Sequence, residues 1–158
     1  MPRASQLAPQ RWPGLALRGP WRRVPARSFA ERTAKHAAGN SFAHAGSSIA
    51  DLPTVRNYIA RMRIKTDQTK ALNADTLAAI GSARADATLR VLESKAAAAE
   101  AATEVTDLAM RVCGGAAFRK EAGIERLFRD ARAASVMAPT SDVLYDFIGK
   151  AITGLPLF

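Results

Sequence analysis

Gly114 and Gly115 directly follow an alanine-rich stretch of helical period, and a dozen residues on Arg126, Arg129 and Arg132 surround Asp130. Paired glycines at a helix end let backbone N–H groups approach a ligand closely, with phosphate the usual candidate; the same pair also serves as a plain helix C-cap. The arginines also have two uses. Arg126 and Asp130 are four residues apart and Arg129 adjoins Asp130, so an ion-pair cluster along one helix accounts for them without any ligand. Cys113 is the single cysteine, so an intrachain disulfide is excluded. It falls on an apolar seam, where a thiol packs rather than attacks. His36 and His44 stand at no spacing to Cys113 that suggests a catalytic pair or a metal site. No catalytic residue can be named from these elements alone.

The elements that must position these residues read as helices throughout. Asp51-Leu52-Pro53 opens the first, with proline tolerated in a first turn. Val55, Tyr58, Ile59, Met62, Thr69, Leu72, Thr76, Leu77 and Ile80 recur at threes and fours, and Gly81-Ser82 closes the helix. A second begins near Arg84-Ala85-Asp86 and carries Leu89, Leu92, Ala96, Ala99, Thr103, Thr106, Met110 and Cys113 in a heptad-like seam. Its length of about 28 residues gives a rod of roughly 42 Å. A third helix runs over 124–138, with Leu127, Phe128, Ala131, Ala134 and Ser135 inward, until Pro139 breaks it. Thr140 or Ser141 caps a fourth over 141–152, which buries Val143, Leu144, Phe147, Ile148 and Ile152 and ends at Gly154. The pattern predicts an all-α, up-and-down four-helix bundle, with long antiparallel helices over 53–80 and 86–113.

Charge separates a head from this body. The chain has 158 residues and a formal charge of +9, but residues 1–40 hold eight Lys or Arg against Glu31 alone, for +7. The rest, with fifteen bases and thirteen acids, carries +2, so the overall basicity says little about the body's partners. Both tryptophans and Pro2, Pro9, Pro13, Pro20 and Pro25 also lie in the first forty residues. The reading is a disordered basic head over 1–43, either native or a mis-started frame, and a folded domain over 44–158. The arginines of the head are not interleaved with a folded platform, which argues against a nucleic-acid arm. No run of eighteen apolar residues exists to span a membrane, and no apolar stretch marks a secretory leader, so the expected location is cytoplasmic.

Met110-Arg111-Val112-Cys113-Gly114-Gly115-Ala116-Ala117-Phe118, followed by Glu125-Arg126-Leu127-Phe128-Arg129-Asp130-Ala131-Arg132, resembles the C-terminal helical domain of the acyl-CoA dehydrogenase family. There the pattern is a glutamine, a double glycine and an aromatic residue, then Arg-x-x-Arg-Asp. The resemblance covers roughly residues 44–158. It implies an FAD-linked oxidoreductase acting on acyl thioesters and a homo-oligomer, tetrameric in the family. It also implies that Gly114 and Gly115 border the ADP portion of the FAD of a neighbouring subunit, and that Thr140 lies beside the flavin pyrophosphate.

Two departures follow from the same alignment. The family's catalytic glutamate, which removes an α-proton from the thioester, falls on Ala138, and the glutamine before the glycines is Arg111. Some members carry the base on an earlier helix, in the region preceding Gly46; others are flavin-dependent monooxygenases, which need no such base. The two upstream domains of the family are absent from this sequence, so the expectation is a truncated chain, inactive alone. The alternatives are the corresponding domain of a monooxygenase and a non-catalytic oligomerisation remnant.

Overall fold

The computed structural model describes residues 26–40 and 47–156. Five α-helices follow one another: α1 (Ala26–Gly39), α2 (Pro53–Gly81), α3 (Ala87–Cys113), α4 (Ile124–Val136) and α5 (Ser141–Thr153). The last four agree with the predicted helices to within two residues at each end, and no β-strand occurs among the described residues. Nor is any described helix long and apolar enough to cross a membrane.

α1 corrects the reading of residues 1–43 as a disordered head. Pro25 is the last proline of that region, and the fourteen residues after it contain no breaker before Gly39. Phe29, Ala30, Thr33 and Ala37 recur along one face and are all buried, against α2 and α3. Thr33 Oγ1 returns its hydrogen to Phe29 O at 3.0 Å, so its burial leaves no polar group orphaned. The stripe is made largely of alanine and threonine, which average away among the surrounding arginines. The rest of the expected head, residues 1–25 and 41–43, lies outside the described residues.

The core gathers where α1, the first half of α2, the second half of α3 and the start of α4 meet. Phe29, Val55, Met62, Val105, Leu108 and Ile124 form it with the small residues between them. α3 packs against each of the other four helices. Its burial therefore exceeds the predicted seam: Ala101, Val105, Leu108, Ala109 and Val112 are buried as well as Ala96, Ala99, Thr106 and Cys113. A single stripe describes a helix with one neighbour, and α3 has four.

The outer helices are less covered than their sequences suggest. On α2, Thr66 is buried although it falls outside the predicted stripe, donating to Met62 O at 2.8 Å, whereas Leu77 and Ile80 are exposed. On α5 only Leu144 is fully buried; Val143 and Ile152 face outward. Phe128 of α4, expected inward, is also exposed.

Ion pairs fix the α2–α3 turn. Arg84 grips Asp75 with two parallel bonds of 2.8 Å and reaches Asp86 at 2.5 Å, while Arg90 reaches Asp86 at 3.0 Å. Hydrogen bonds from Arg84 hold both aspartates below the ordinary 3.8. Lys65 and Arg61 on α2 do the same for Glu104 on α3.

Two outcomes follow. Met62→Ala, at a site with no solvent exposure, should lower unfolding free energy in urea by about 2–5 kcal/mol, and Leu77→Ala by less than ~0.5. Because Asp75, Asp86 and Glu104 titrate lower when folded, their contribution is complete above the ordinary carboxylate values of 3.8 and 4.5 and is lost as pH falls through the lowered ones. A thermal melt should therefore drop steeply in acid, and substituting Asp75 by Asn should flatten that drop.

Candidate functional site

The end of α3 explains its glycines locally. Gly114 sits at φ +53, ψ −138, a backbone conformation that residues with a Cβ rarely adopt, and its N–H bonds to Met110 O to cap the helix. Gly115 has no positive φ, and a Cβ on either glycine would project into open space. Both are exposed, so the backbone here can be approached closely by a ligand. Arg111, in the last turn, pairs with Asp107 at 2.9 Å and also bonds Tyr58; these contacts raise its pKa and tie it to the bundle. Cys113 is buried, and burial pushes its thiol up, which suits packing rather than attack.

The second element is the corner between α4 and α5, Met137-Ala138-Pro139-Thr140. Thr140 is the N-cap of α5: its Oγ1 accepts from Val143 N at 3.5 Å, and its carbonyl accepts from Leu144 N at 3.0 Å. Ala138 is exposed and offers no proton acceptor. From α3, Lys95 Nζ donates to Pro139 O at 2.6 Å and to Met137 O at 3.3 Å. No motif pointed to Lys95, which reads in the sequence as one more solvent-facing charge beside the alanine seam.

α3 separates the two elements. Lys95 at the corner and Gly114 at the helix end are nineteen residues apart, about 28 Å at ~1.5 Å per residue. The structure therefore does not bring Gly114 and Gly115 together with Thr140 at one point.

A cavity of about 730 Å³ opens beside the corner, lined by Glu100, Glu104, Asp107, Arg132, Ser141 and Asp142 among others. Its α3 carboxylates are already engaged. Glu104 holds Arg61 and Lys65, Asp107 holds Arg111, and Glu100 accepts from Tyr145, whose phenol is pushed up to about 12. On α4 Arg126 forms the expected surface pair with Asp130 at 3.5 Å, whereas Arg129, which adjoins Asp130 in the sequence, pairs with Glu125 at 2.9 Å. His36 lines a small cleft with Arg32 and Lys35; His44 lies outside the described residues. α1 is the described helix in the stretch preceding Gly46, and its one acid, Glu31, is exposed near Arg63. Among the described residues no group of three His, Cys, Asp or Glu could hold a metal.

This is an all-α domain with an open glycine pair at one end of its central helix and a capped, carboxylate-free corner near the other. The family described as "Acyl-CoA dehydrogenase, C-terminal domain" matches residues 23–153, and the chain belongs to that family. It is 31% identical over 118 residues to the very long-chain specific acyl-CoA dehydrogenase, mitochondrial, of Rattus norvegicus, covering 70% of this chain and 18% of that protein. It is 28% identical over 107 residues to the cyclohex-1-ene-1-carbonyl-CoA dehydrogenase of Geobacter metallireducens, covering 68% and 28%. Among solved structures, a glutaryl-coenzyme A dehydrogenase in complex with glutaryl-CoA superposes with a TM-score of 0.76 at 23% identity, over 84% of this chain and 33% of that one. The chain thus spans a third or less of the relatives it matches. The match also begins upstream of α1, which places that helix inside the domain.

The two glycines should separate on substitution. Gly114→Ala forces a Cβ into a positive-φ conformation and should cost about 1–3 kcal/mol in urea unfolding. Gly115→Ala should stay within about 0.5 kcal/mol.

Proposed function

We propose that this chain is the C-terminal helical domain of an FAD-dependent oxidoreductase acting on acyl-CoA thioesters, and that it is inactive alone. The observation carrying this is the family match over 23–153, which holds both the double glycine and the Arg-x-x-Arg-Asp of α4. When bound, FAD supplies the acceptor for the hydride that leaves the β-carbon. The chain's own part is to bind and orient. The open backbone at Gly114 and Gly115 borders the ADP portion of one cofactor, and the Thr140 hydroxyl lies beside the pyrophosphate of another. Their separation of about 28 Å along α3 supports assignment to two cofactors, shared between copies in a homo-oligomer. The apolar side chains exposed on α4 and α5, with Phe128, Val136, Val143 and Ile152 among them, support such an assembly. A cytoplasmic place belongs to the same reading.

The corner cannot do the proton chemistry. Dehydrogenation needs a carboxylate within hydrogen-bond reach of the α-proton, and Ala138 has none. A glutamate placed there would gain a raised pKa only in a dry pocket, whose remaining walls lie beyond this chain. The carboxylate-free corner also favours a second reading, the equivalent domain of a flavin-dependent monooxygenase, which uses no base at that position.

The test supplies the chain and its Ala138→Glu variant separately with FAD, an acyl-CoA and a dye acceptor. Neither should bleach the dye. Bleaching by the unmodified chain would overturn the proposal, and bleaching by the variant alone would show that the bundle completes its own flavin pocket.

A further inference from the structure

We propose that Lys95 is the residue that positions the Met137–Thr140 corner for the flavin, by strapping its backbone to α3. The flavin part rests on the reading given under Proposed function; the strap itself stands on geometry. An ammonium has three donors in a tetrahedral spread, and two of them are placed on carbonyls two residues apart, Met137 O and Pro139 O. The bond to Pro139 O, at 2.6 Å, is short in the manner of a charge-assisted contact.

The corner needs such a strap because its own chain supplies little. Met137 is the C-cap of α4 and has already left the helical conformation, at ψ 139. Pro139 has no N–H to give. Thr140 has β-region dihedrals, as an N-cap must, and holds α5 through a long 3.5 Å contact to Val143 N. Four residues thus join two helices of thirteen residues each, and only the first and last of the four bond to those helices through the backbone. Lys95 anchors the middle.

The anchor is well chosen mechanically. Lys95 lies one residue before Ala96, which is buried on the most enclosed helix of the fold, and is itself half-buried. A lysine crosses from α3 to the corner with flexible reach, and its positive charge also faces the C-terminal, carbonyl-rich end of α4. Pulling Pro139 O toward α3 fixes where the next residue, Thr140, begins α5, and therefore where its hydroxyl points. Lys95 acts through the backbone and touches no reacting atom. Its role is positioning.

The test uses the whole chain with Lys95→Met, which keeps the apolar stem, and Lys95→Arg, which keeps the charge and donors. Hydrogen exchange followed by mass spectrometry should show at least tenfold faster exchange in Lys95→Met for peptides covering 137–144. Peptides from the α2–α3 turn should be unchanged, and Lys95→Arg should largely restore the wild-type rate. Unchanged exchange over 137–144 would overturn the strap, as would equal acceleration everywhere, which marks general destabilisation. In parallel, FAD is titrated into each protein and followed by quenching of flavin fluorescence and by visible circular dichroism. The expected result is fivefold or more weaker binding with an altered visible spectrum for Lys95→Met, rescued by Lys95→Arg. Identical affinity and spectrum would overturn the role toward flavin. Failure of the wild-type chain to bind FAD would overturn the role of Lys95 toward flavin in this chain, while the exchange result would still decide the strap.

Discussion

Everything in this fold depends on α3 being thin enough to be surrounded. A helix can touch four others only if its side chains leave their axes room, and α3 meets this with Ala96, Ala99, Ala101 and Ala109, all buried. Each alanine buries little apolar area, so the hydrophobic gain comes from what the close approach allows others to cover. Met62 of α2 and Leu144 of α5 are the largest apolar side chains sealed in this way. Burial of each contributes about 1.5–3 kcal/mol. A larger side chain at any of the four alanines would push a neighbour outward and lose more contact than it adds.

The same helix sets the geometry of the site. It is central and packs against all four other helices, so its two ends keep a fixed separation. Gly114 closes one end through a conformation that only glycine adopts comfortably, and Lys95 reaches out near the other. The glycine pair at one end is thereby held in register with the Lys95-bound corner about 28 Å away. The ion pairs at the α2–α3 turn and from Glu104 to Lys65 and Arg61 keep α2 aligned along this ruler.

The helices were legible wherever punctuation was strong. Pro53, Gly81-Ser82, the double glycine, Pro139 and Gly154 each mark an end, and local chemistry decides ends. Burial was less legible because it is a property of neighbours. Leu77 and Ile80 fit the period of α2 and remain exposed beyond the reach of α1, while Thr66 looks polar and is buried because it can return its hydrogen to Met62 O. α1 was lost for a related reason. Its face of Phe29, Ala30, Thr33 and Ala37 is small in area, and the arginines and prolines before it dominated the average. Of the site, Gly114 and the threonine cap could be read from residue type, because backbone conformation and capping are local. Lys95 could not. Its partners lie more than forty residues away, at backbone atoms that every residue possesses.

That difference bears on what the corner between α4 and α5 can do. Its shape is set by groups that do not depend on the side chain at position 138: two carbonyls held by Lys95, a threonine cap and the missing N–H of Pro139. Replacing a carboxylate there by a methyl group leaves each of these interactions in place, because none involves the replaced atoms. The corner can therefore keep its backbone geometry while lacking a carboxylate at position 138. Binding geometry and proton transfer are separable here, since one is built from backbone and the other from a single side chain. A family resemblance carried by glycines, a threonine and helix ends thus speaks for the first and is silent about the second.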